Sequence, residues 1–491
     1  MLADEVRLAL LQRNYFPNHR TKSSEMPPCF TSEALTPAVA AKLANAAPYA
    51  GPKRGCDFVP YTLTRFNGGP RMCGIPHPYA YTRLVERIHT DWSRIEPLVK
   101  SDSSQITAKL HKDGRIFVMD YESQFSRSRS YLEKQGAKKY VAKADISHFY
   151  PSIYTHAISW AAVGIEEAKK NTSVGGKWYN RLDAAVRDCK RNETNGILIG
   201  PGTSSLIAEV ILSDVDRKLE NAGFEFLRFI DDYTCFAEDR VKANAFIRSL
   251  EIALSRYALL LNFTKTFVGE LTGSELPSWI PALQVDTLPT APNFFSLKLF
   301  FSRAVEIAKQ HPEGSVLRYA VHALKDRQLS QQSGEYVLRT LMALSLHHHH
   351  LVGSLTDYVH FGFDGQNFKY EKELDAILAS SVESRRSDAI CWSLYLTYKV
   401  RGNISDNLAS QVLKTYDPCA LILLYEAGQA KTRRSITNFV KKSILPRDHS
   451  AHERNWILIH YLLNEKRLKV PEVSDQSLKI LKAEKVNLYK F

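Results

Sequence analysis

Two aspartate positions that follow strand-like runs constrain this chain more than any other feature. Residues 140–144 (YVAKA) precede Asp145, and the aromatic, roughly alternating residues 224–230 precede Asp231 and Asp232. Residues 233–236 (YTCF) continue the second run, which predicts a hairpin with the acidic pair at its tip. Carboxylates on rigid neighbouring strands can hold two divalent cations about 4 Å apart. The sequence therefore predicts a metal site, and Mg²⁺ suits it because Mg²⁺ shares its oxygen shell with substrate phosphates.

Two further segments flank the second aspartate position in the chain. Residues 196–204 (GILIGPGTS) are glycine-rich and precede a helical pattern at 210–219. Residues 261–266 (LNFTKT) follow the predicted hairpin and carry Lys265. A single motif of this kind is weak, and a DD pair alone is usually a solvated turn. The four segments in this order, over residues 140 to 270, are much more specific.

The ordered set resembles the palm of a reverse transcriptase. Asp145 matches the first catalytic aspartate, and residues 229–232 (FIDD) match the aromatic-x-Asp-Asp box. Residues 196–204 resemble the glycine-rich loop that opens the next helix and supports the incoming base pair. Residues 261–266 resemble the motif whose lysine, here Lys265, lies near the leaving pyrophosphate. The resemblance implies a nucleotidyltransferase with Mg²⁺ as cofactor, Mn²⁺ being an alternative.

Three segments resemble more narrowly the bacterial abortive-infection and defence-associated reverse transcriptases. They are residues 145–156 (DISHFYPSIYTH), residues 199–204 (IGPGTS) and residues 71–81 (RMCGIPHPYAY), which fall where the fingers should be. Retroviral and intron-type enzymes usually carry Pro-Gln before the loop glycine, where this chain has Leu198 and Ile199. That departure puts ordinary templating in doubt. Several members of the family make DNA without a conventional template or prime from their own tyrosine.

The resemblance also implies roles for individual residues. Asp145, Asp231 and Asp232 are the expected catalytic residues and, with the main-chain carbonyl of Ile146, the expected metal ligands. The residues expected at the dNTP are Tyr150, which would block a ribose 2′-hydroxyl, Arg71, Arg65, Gly200 and Lys265. Gly202 and Thr203 are expected at nucleic acid. Three alternatives without a direct role in the reaction stay open: Tyr150 as a core aromatic, Thr203 as a helix cap and Lys265 as a solvated side chain.

Composition agrees with a nucleic-acid partner. The chain has 491 residues and a formal net charge of +13, and neutralisation of phosphates by lysine and arginine dominates nucleic-acid affinity. Basic runs at 433–434 and 441–442 either touch nucleic acid or are solvated faces. Seven cysteines without CxxC spacing argue against a disulfide framework or a zinc site. The N-terminus lacks a signal-peptide pattern, so the expected location is the cytoplasm, with no membrane partner. The resemblance implies a bacterial protein and a homo-oligomer.

The predicted fold class is α+β: fingers and palm with an antiparallel sheet and helices, followed by an all-α helical-repeat domain. The predicted boundaries are residues 1–137 for an N-terminal segment and fingers, 138–275 for the palm, 276–294 for a proline-rich linker, and 295–491 for the helical domain. Two short strands are also expected at 104–126, around the Lys112-Asp113-Gly114 turn.

The function expected from these features is that of a DNA polymerase of the reverse-transcriptase family, acting in antiphage defence. Untemplated, protein-primed synthesis is one form of this activity, and synthesis on a dedicated noncoding RNA is the alternative. A non-catalytic scaffold that binds nucleic acid is the competing class. The intact Asp145, Asp231 and Asp232 argue against the scaffold, because a relic palm would be expected to lose its carboxylates.

Overall fold

A computed structural model of the chain describes residues 1–17, 25–46, 48–49, 55–106, 108–117, 124–173, 175–271 and 276–491. The chain opens with the helices Ala3–Arg13 and Pro37–Asn45. Proline at the first position of the second helix and the Thr36 side chain, which accepts a hydrogen bond from the Val39 amide, fix where that helix begins.

A two-stranded antiparallel hairpin follows, formed by β1 (Phe58–Thr64) and β2 (Pro70–Pro76). Alternate residues of β1 are buried, as expected for a strand with one face on a core. The hairpin leads into the helix Pro78–Thr90, whose buried face includes Leu84, Val85 and Ile88. The hairpin lies where the sequence predicts the fingers.

The central sheet has four antiparallel strands in the order β4-β5-β3-β6. These are β3 (Tyr140–Asp145), β4 (Glu225–Phe229), β5 (Asp232–Ala237) and β6 (Phe267–Glu270). Strand β3 pairs with β5 on one side and with β6 on the other. All the acidic strand ends singled out in the sequence therefore lie in one sheet.

Two long helices pack against this sheet. The helix Gly202–Asn221 follows the glycine-rich loop and connects it to β4. The helix Arg240–Ser255 buries Ala243, Phe246, Leu250 and Leu254, a spacing of three to four residues that places them on one face. Rigid packing beneath the strands keeps the loops at their ends in fixed positions.

Shorter helices surround the fingers and palm: Trp92–Ile95, the 3₁₀ helix Glu96–Val99, Gln124–Gln135, Phe149–Ser152, Ala157–Val163, Ile165–Lys170 and Trp178–Asp188. The strands expected at 104–126 are not among the described residues of that range. The predicted turn is present, because the His111 amide donates to the Arg115 carbonyl at 2.8 Å, but the flanking chain packs as irregular structure. Residues 107 and 118–123 lie outside the described residues.

The C-terminal region is helical except for the two-residue strands Phe363–Asp364 and Asn367–Phe368. Its helices are Trp279–Leu283, Val285–Thr287, Phe294–Gln310, Val316–Ala323, Gln331–Ser345, His349–Asp357, Val359–Gly362, Glu371–Glu383, Ser387–Val400, Asp406–Leu413, Pro418–Ala427, Ala430–Phe439, Val440–Ile444, His449–Arg454, Trp456–Asn464, Val470–Glu472 and Gln476–Ala483. The α+β class with a helical C-terminal region is confirmed.

Burial divides the molecule differently from the predicted boundaries. One core combines the fingers and palm with most of the helices after residue 390, and a second core covers residues 279–396. The segment expected to be a linker contributes Trp279, Leu283 and Leu288 to the second core. The last part of the chain returns to the fingers: Ser387 and Asp388 accept hydrogen bonds from the free edge of β1, at the amides of Thr62 and Thr64.

Candidate active site

Asp145 and the Asp231-Asp232 pair meet at one end of the central sheet. Asp145, the last residue of β3, lies directly opposite Asp232, the first residue of β5. The Ile146 amide donates to the Asp231 carbonyl at 3.2 Å. Residues directly opposite each other in an antiparallel pair have their Cβ atoms about 5 Å apart. The pairing predicted from sequence is therefore built into the register of the sheet.

The turn that carries Asp231 has an unusual backbone. Ile230 has φ 56°, in the left-handed region that a β-branched residue rarely adopts. Such conformations persist only where the surrounding structure holds them, and they cluster at functional sites. The strained residue lies in the turn between β4 and β5. Its conformation sets the direction of the backbone at the next residue, Asp231.

The three carboxylates repel one another. Burial, and next the charges of Asp231 and Asp145, raise the pKa of Asp232 to about 7. Burial raises the pKa of Asp231 as well, and the Asp145 charge adds to that effect. The positive charges of Lys265 and Arg71 act in the opposite direction on Asp231. Asp231 is half-buried and Asp232 is exposed to solvent, so the site concentrates negative charge at an accessible end of the sheet.

Asp145 is held by the segment that precedes β6. The Lys265 ammonium lies 2.8 Å from Asp145 Oδ2, and the Asn262 side-chain amide donates to Asp145 Oδ1 at 3.1 Å. The Asn262 backbone amide also donates to the Asp145 carbonyl at 2.8 Å. The Lys265 side chain is 62% exposed, so its ammonium can leave Asp145 at little cost. The solvated alternative for Lys265 is thus only half right, because the side chain is exposed and also paired.

The chemistry of this donor set fits a divalent cation. Three carboxylates and one exposed ammonium lie at the same end of the sheet, and Mg²⁺ is commonly bound through one or two carboxylates plus substrate phosphates. Within the described ranges, no group of three or more histidine, cysteine, aspartate or glutamate side chains forms a ready-made metal cluster. Asp145, Asp231, Asp232 and the Ile146 carbonyl remain the predicted ligands.

A buried charge network beneath the turn was not predicted from the sequence. Arg228 is fully buried, and its guanidinium bonds Glu209 at 2.9 Å and Asp216 at 2.7 Å. Its Nη1 also donates to the carbonyl of Ile230 at 3.1 Å. The attraction of the two carboxylates raises the pKa of Arg228 against the effect of burial. Arg228 thereby ties the strained turn to the helix Gly202–Asn221.

Hydroxyl groups complete this network. Ser101 donates to Asp216 at 2.7 Å, Ser104 donates to Glu209 at 2.9 Å, and Tyr233 donates to Asp216 at 3.2 Å. A buried charge is tolerated only when its lone pairs and protons find partners. The available sequence signal is Arg228 itself, which lies two residues after Phe226 and so on the same, buried face of β4.

Tyr150 and Arg71 lie beside the carboxylates. Tyr150 follows Asp145 by one short turn and is partly buried. Burial raises its pKa to about 12, with a hydrogen bond to Ser205 and the Arg71 charge acting in the opposite direction. Arg71, exposed in β2, is within electrostatic range of both Tyr150 and Asp231. Tyr150 and Arg71 thus lie within electrostatic range of each other, and their predicted contacts with dNTP stay predictions.

Arg65 lies elsewhere, at the turn between β1 and β2. Its amide donates to the Gly69 carbonyl at 2.9 Å, and its carbonyl accepts from the Gly68 amide. No described contact joins the Arg65 side chain to the carboxylates. Its predicted role at the dNTP stays a prediction.

The glycine-rich loop packs against the N-terminal segment. Gly200 has φ 132°, and a Cβ there would lie 2.9 Å from Pro17; a Cβ on Gly202 would lie 2.5 Å from the Asn14 side chain. The Gly202 amide donates to the Asn14 carbonyl at 2.7 Å. These glycines therefore allow the N-terminal segment of the same chain to pack closely against the loop. Their predicted contacts with dNTP and nucleic acid stay predictions.

Thr203 does not cap the following helix. The helix has Pro201 at its N-cap position, without a capping side chain, and Thr203 is buried inside its first turn. The capping alternative is wrong because the helix begins two residues earlier than the motif suggests. The predicted nucleic-acid contact of Thr203 stays a prediction.

One comparison with known proteins covers the residues of this site. Residues 67–288 match the family model described as Reverse transcriptase (RNA-dependent DNA polymerase). That span contains β2, the whole central sheet and every residue of the carboxylate cluster. Among curated proteins, none matches the chain.

Solved structures give weak likenesses. The apo telomerase of Candida tropicalis truncated from its C-terminal domain aligns with TM-score 0.31 and 15% identity, over 49% of this chain and 55% of that one. The apo telomerase of Candida tropicalis aligns with TM-score 0.34 and 11% identity, over 75% and 74%. Candida albicans telomerase with a TWJ fragment of telomeric RNA aligns with TM-score 0.30 and 12% identity, over 72% and 66%.

The chain spans about half the length of the truncated telomerase. Residues 67–288 are similar in sequence to the reverse transcriptase domain, whose family is described as an RNA-dependent DNA polymerase.

Proposed function

We propose that the chain is a DNA polymerase that adds deoxynucleotides to a hydroxyl primer by two-metal nucleotidyl transfer. The observation that carries the proposal is the convergence of Asp145 with Asp231 and Asp232 across the β3–β5 register. Asp145, Asp231 and the Ile146 carbonyl would hold the ions, with Asp232 as a ligand or a support. Bound Mg²⁺ supplies activation of the attacking hydroxyl and neutralisation of charge at the triphosphate. Mn²⁺ takes the same oxygen ligands.

Two basic residues near the carboxylates are suited to bind the phosphates of a nucleoside triphosphate. Arg71 offers a forked donor to phosphate oxygens from the fingers. Lys265 can leave Asp145 for the leaving pyrophosphate because its side chain is exposed. The purified protein, incubated with each dNTP in turn and Mg²⁺, should yield DNA that can be sequenced. No incorporation with any dNTP, with Mg²⁺ or Mn²⁺ and with primers of either sugar, would reject the proposal.

Tyr150→Ala is expected to raise the use of rNTPs relative to dNTPs by about tenfold or more, the scale on which steric selection in a pocket operates. The reason is that the aromatic ring beside Asp231 and Arg71 would no longer occupy the space of a 2′-hydroxyl. Steady-state incorporation of matched rNTP and dNTP pairs measures the ratio.

Tyr150→Phe is the matched control, because it keeps the ring and removes only the hydroxyl bonded to Ser205. It should keep the wild-type ratio. An unchanged ratio in Tyr150→Ala, with dNTP activity retained, would return Tyr150 to the role of a core aromatic.

The source of template and primer has two alternatives. Leu198 is buried, and a Cβ on Gly74 of the fingers would lie 2.9 Å from its Cδ2. The Ile199 carbonyl accepts from the Gly74 amide at 3.0 Å. This loop thus presents apolar side chains to the fingers where related enzymes carry Pro-Gln, which supports untemplated, protein-primed synthesis. Synthesis templated by a noncoding RNA is the alternative.

Protein priming predicts DNA that stays attached to the protein. A tyrosine hydroxyl can replace a primer hydroxyl if it reaches the metal site. After incubation with labelled dNTP, the label should remain with the protein through denaturation and, after nuclease and protease, move with a tyrosine-containing peptide. Product that separates completely on denaturation would exclude protein priming. RNA that copurifies and matches the product sequence would favour the templated alternative.

Antiphage defence is the proposed biological role, in the bacterial cytoplasm and as a homo-oligomer. It is supported by the resemblance of residues 71–81, 145–156 and 199–204 to abortive-infection and defence-associated enzymes. No described helix is long and apolar enough to cross a membrane. Phage plating on cells that express the chain or its Asp145→Asn variant tests the role, since equal plating on both would count against it. Light scattering of the purified protein tests the oligomer.

A non-catalytic scaffold is the remaining alternative. The three carboxylates and the buried network that orients them argue against it, because a scaffold needs neither. Nucleic-acid binding without incorporation under all the conditions above would favour it.

A further inference from the structure

A second concave surface lies away from the carboxylates, between the fingers and the C-terminal helices. It is a cleft of about 900 Å³. One wall includes Pro60 of β1, and the others come from the turn at Tyr416, from Phe439 and from residues 443–455. Arg447, Arg454 and Asn455 are among the lining residues. None of these residues belongs to the site described above.

An aromatic ring is held out toward this cleft. The Tyr416 side chain is 59% exposed. Its backbone is in the left-handed region, with φ 56°, which is a strained conformation for a bulky residue. One face of its ring packs on Phe439, with centroids 5.0 Å apart and planes at 29°. This packing fixes the ring and leaves its other surface accessible to a flat group.

The cleft also carries positive charge without matching acids. Arg447 and Arg454 are both exposed, and neither has an ion pair among the described residues. Of the described lining residues, Asp448 is the acidic one, and its carboxylate already accepts from the Ala451 amide at 3.0 Å as a helix cap. Lys442, exposed in the adjoining helix Val440–Ile444, adds a further charge. Such a surface suits a ligand with several negative charges.

We propose that this cleft binds single-stranded nucleic acid, with a base stacked on Tyr416 and backbone phosphates on Arg447 and Arg454. Exposed aromatic rings within a basic groove are the elements by which proteins hold unpaired strands. A duplex is disfavoured because its bases are already stacked and paired. The ligand chemistry is shared by DNA and RNA strands, so the experiment uses both. The site is distinct from the carboxylate cluster and concerns binding, so it does not depend on polymerase activity.

The test measures the anisotropy of fluorescein-labelled oligothymidylate and oligouridylate on the full chain. Arg447→Glu with Arg454→Glu should weaken the binding of at least one strand. It should also make the dependence of log K on log [salt] shallower by about 1.4, since each phosphate contact on a single strand contributes about 0.7. Tyr416→Ala should weaken binding about tenfold, within the range seen for loss of one base–aromatic stack. The preferred oligonucleotide shows whether the strand is DNA or RNA.

Arg303→Glu with Lys369→Glu is the matched control, because both side chains are exposed, neither lines the cleft and the charge change is the same. It should bind like wild type. Equal weakening by both double variants would overturn the proposal, as would unchanged binding in the cleft variants or equal affinity for a duplex. A second measurement needs no variant: photocrosslinking with 4-thiothymidine oligonucleotides should label peptides within residues 416–455. Labelling confined to other peptides would overturn the site.

Discussion

Replacing Asp231 and Asp232 together with asparagine is expected to abolish nucleotide incorporation. The substitution keeps the shape of both side chains and removes two of the three negative charges that converge at the end of the sheet. Metal ions stabilise charge in a transition state by several kcal/mol, and about 1.4 kcal/mol corresponds to tenfold in rate. We therefore expect a loss of about a thousandfold or more, measured as incorporation of labelled dNTP with Mg²⁺.

The same substitution should leave the fold intact. Burial, together with repulsion among the carboxylates, raises the pKa of Asp232 to about 7 and raises that of Asp231, so removing these charges relieves an unfavourable interaction in the folded state. Urea unfolding should therefore show no loss of stability. Asp286→Asn with Asp364→Asn is the control for the change in charge, because both side chains are exposed. Normal incorporation by the Asp231, Asp232 variant would reject the site assignment.

The carboxylate cluster could be predicted from sequence because its signals are local. An apolar or alternating run before each aspartate marks a strand end, and the order of the motifs indicates that the strands are neighbours. The structure confirms the strands and the hairpin, with Asp145 opposite Asp232. The direction of the backbone at Asp231 could not be predicted. It depends on the left-handed conformation of Ile230, and isoleucine at that position gives no signal for such a conformation.

Contacts between distant segments were outside the reach of the sequence patterns. The glycines at 200 and 202 were expected to make room for a ligand, yet Pro17 and Asn14 occupy that space. The prolines of residues 277–292 indicated a linker, although Trp279 and Leu283 are four residues apart and share one buried helical face. In both cases the deciding partner comes from elsewhere in the chain, and a local pattern carries no information about it.

The network around Arg228 is the largest feature that sequence reasoning missed, and it predicts the second large effect. Arg228→Met should lower the free energy of unfolding by about 3–5 kcal/mol, because it leaves the Glu209 and Asp216 carboxylates buried without a counter-charge. Urea unfolding measures the change. The stability of Arg228→Lys should lie between those of the wild type and Arg228→Met. A lysine keeps the charge but loses the forked guanidinium that bonds both carboxylates and the Ile230 carbonyl.

Catalysis by these variants separates a positioning role from a purely structural one. Arg228→Met combined with Glu209→Gln and Asp216→Asn removes the unpaired charges, so it should recover most of the lost stability while the Ile230 carbonyl still lacks its guanidinium donor. If Arg228 positions the turn, the rate at saturating dNTP should stay about a hundredfold low, the scale expected for a misplacement of about 1 Å, with little change in KM. Recovery of both stability and rate in the triple variant would show that the network serves the fold alone. Loss of rate with restored stability would show that the strained turn needs Arg228 to present Asp231, because the buried charges are then balanced while the Ile230 carbonyl still lacks its donor.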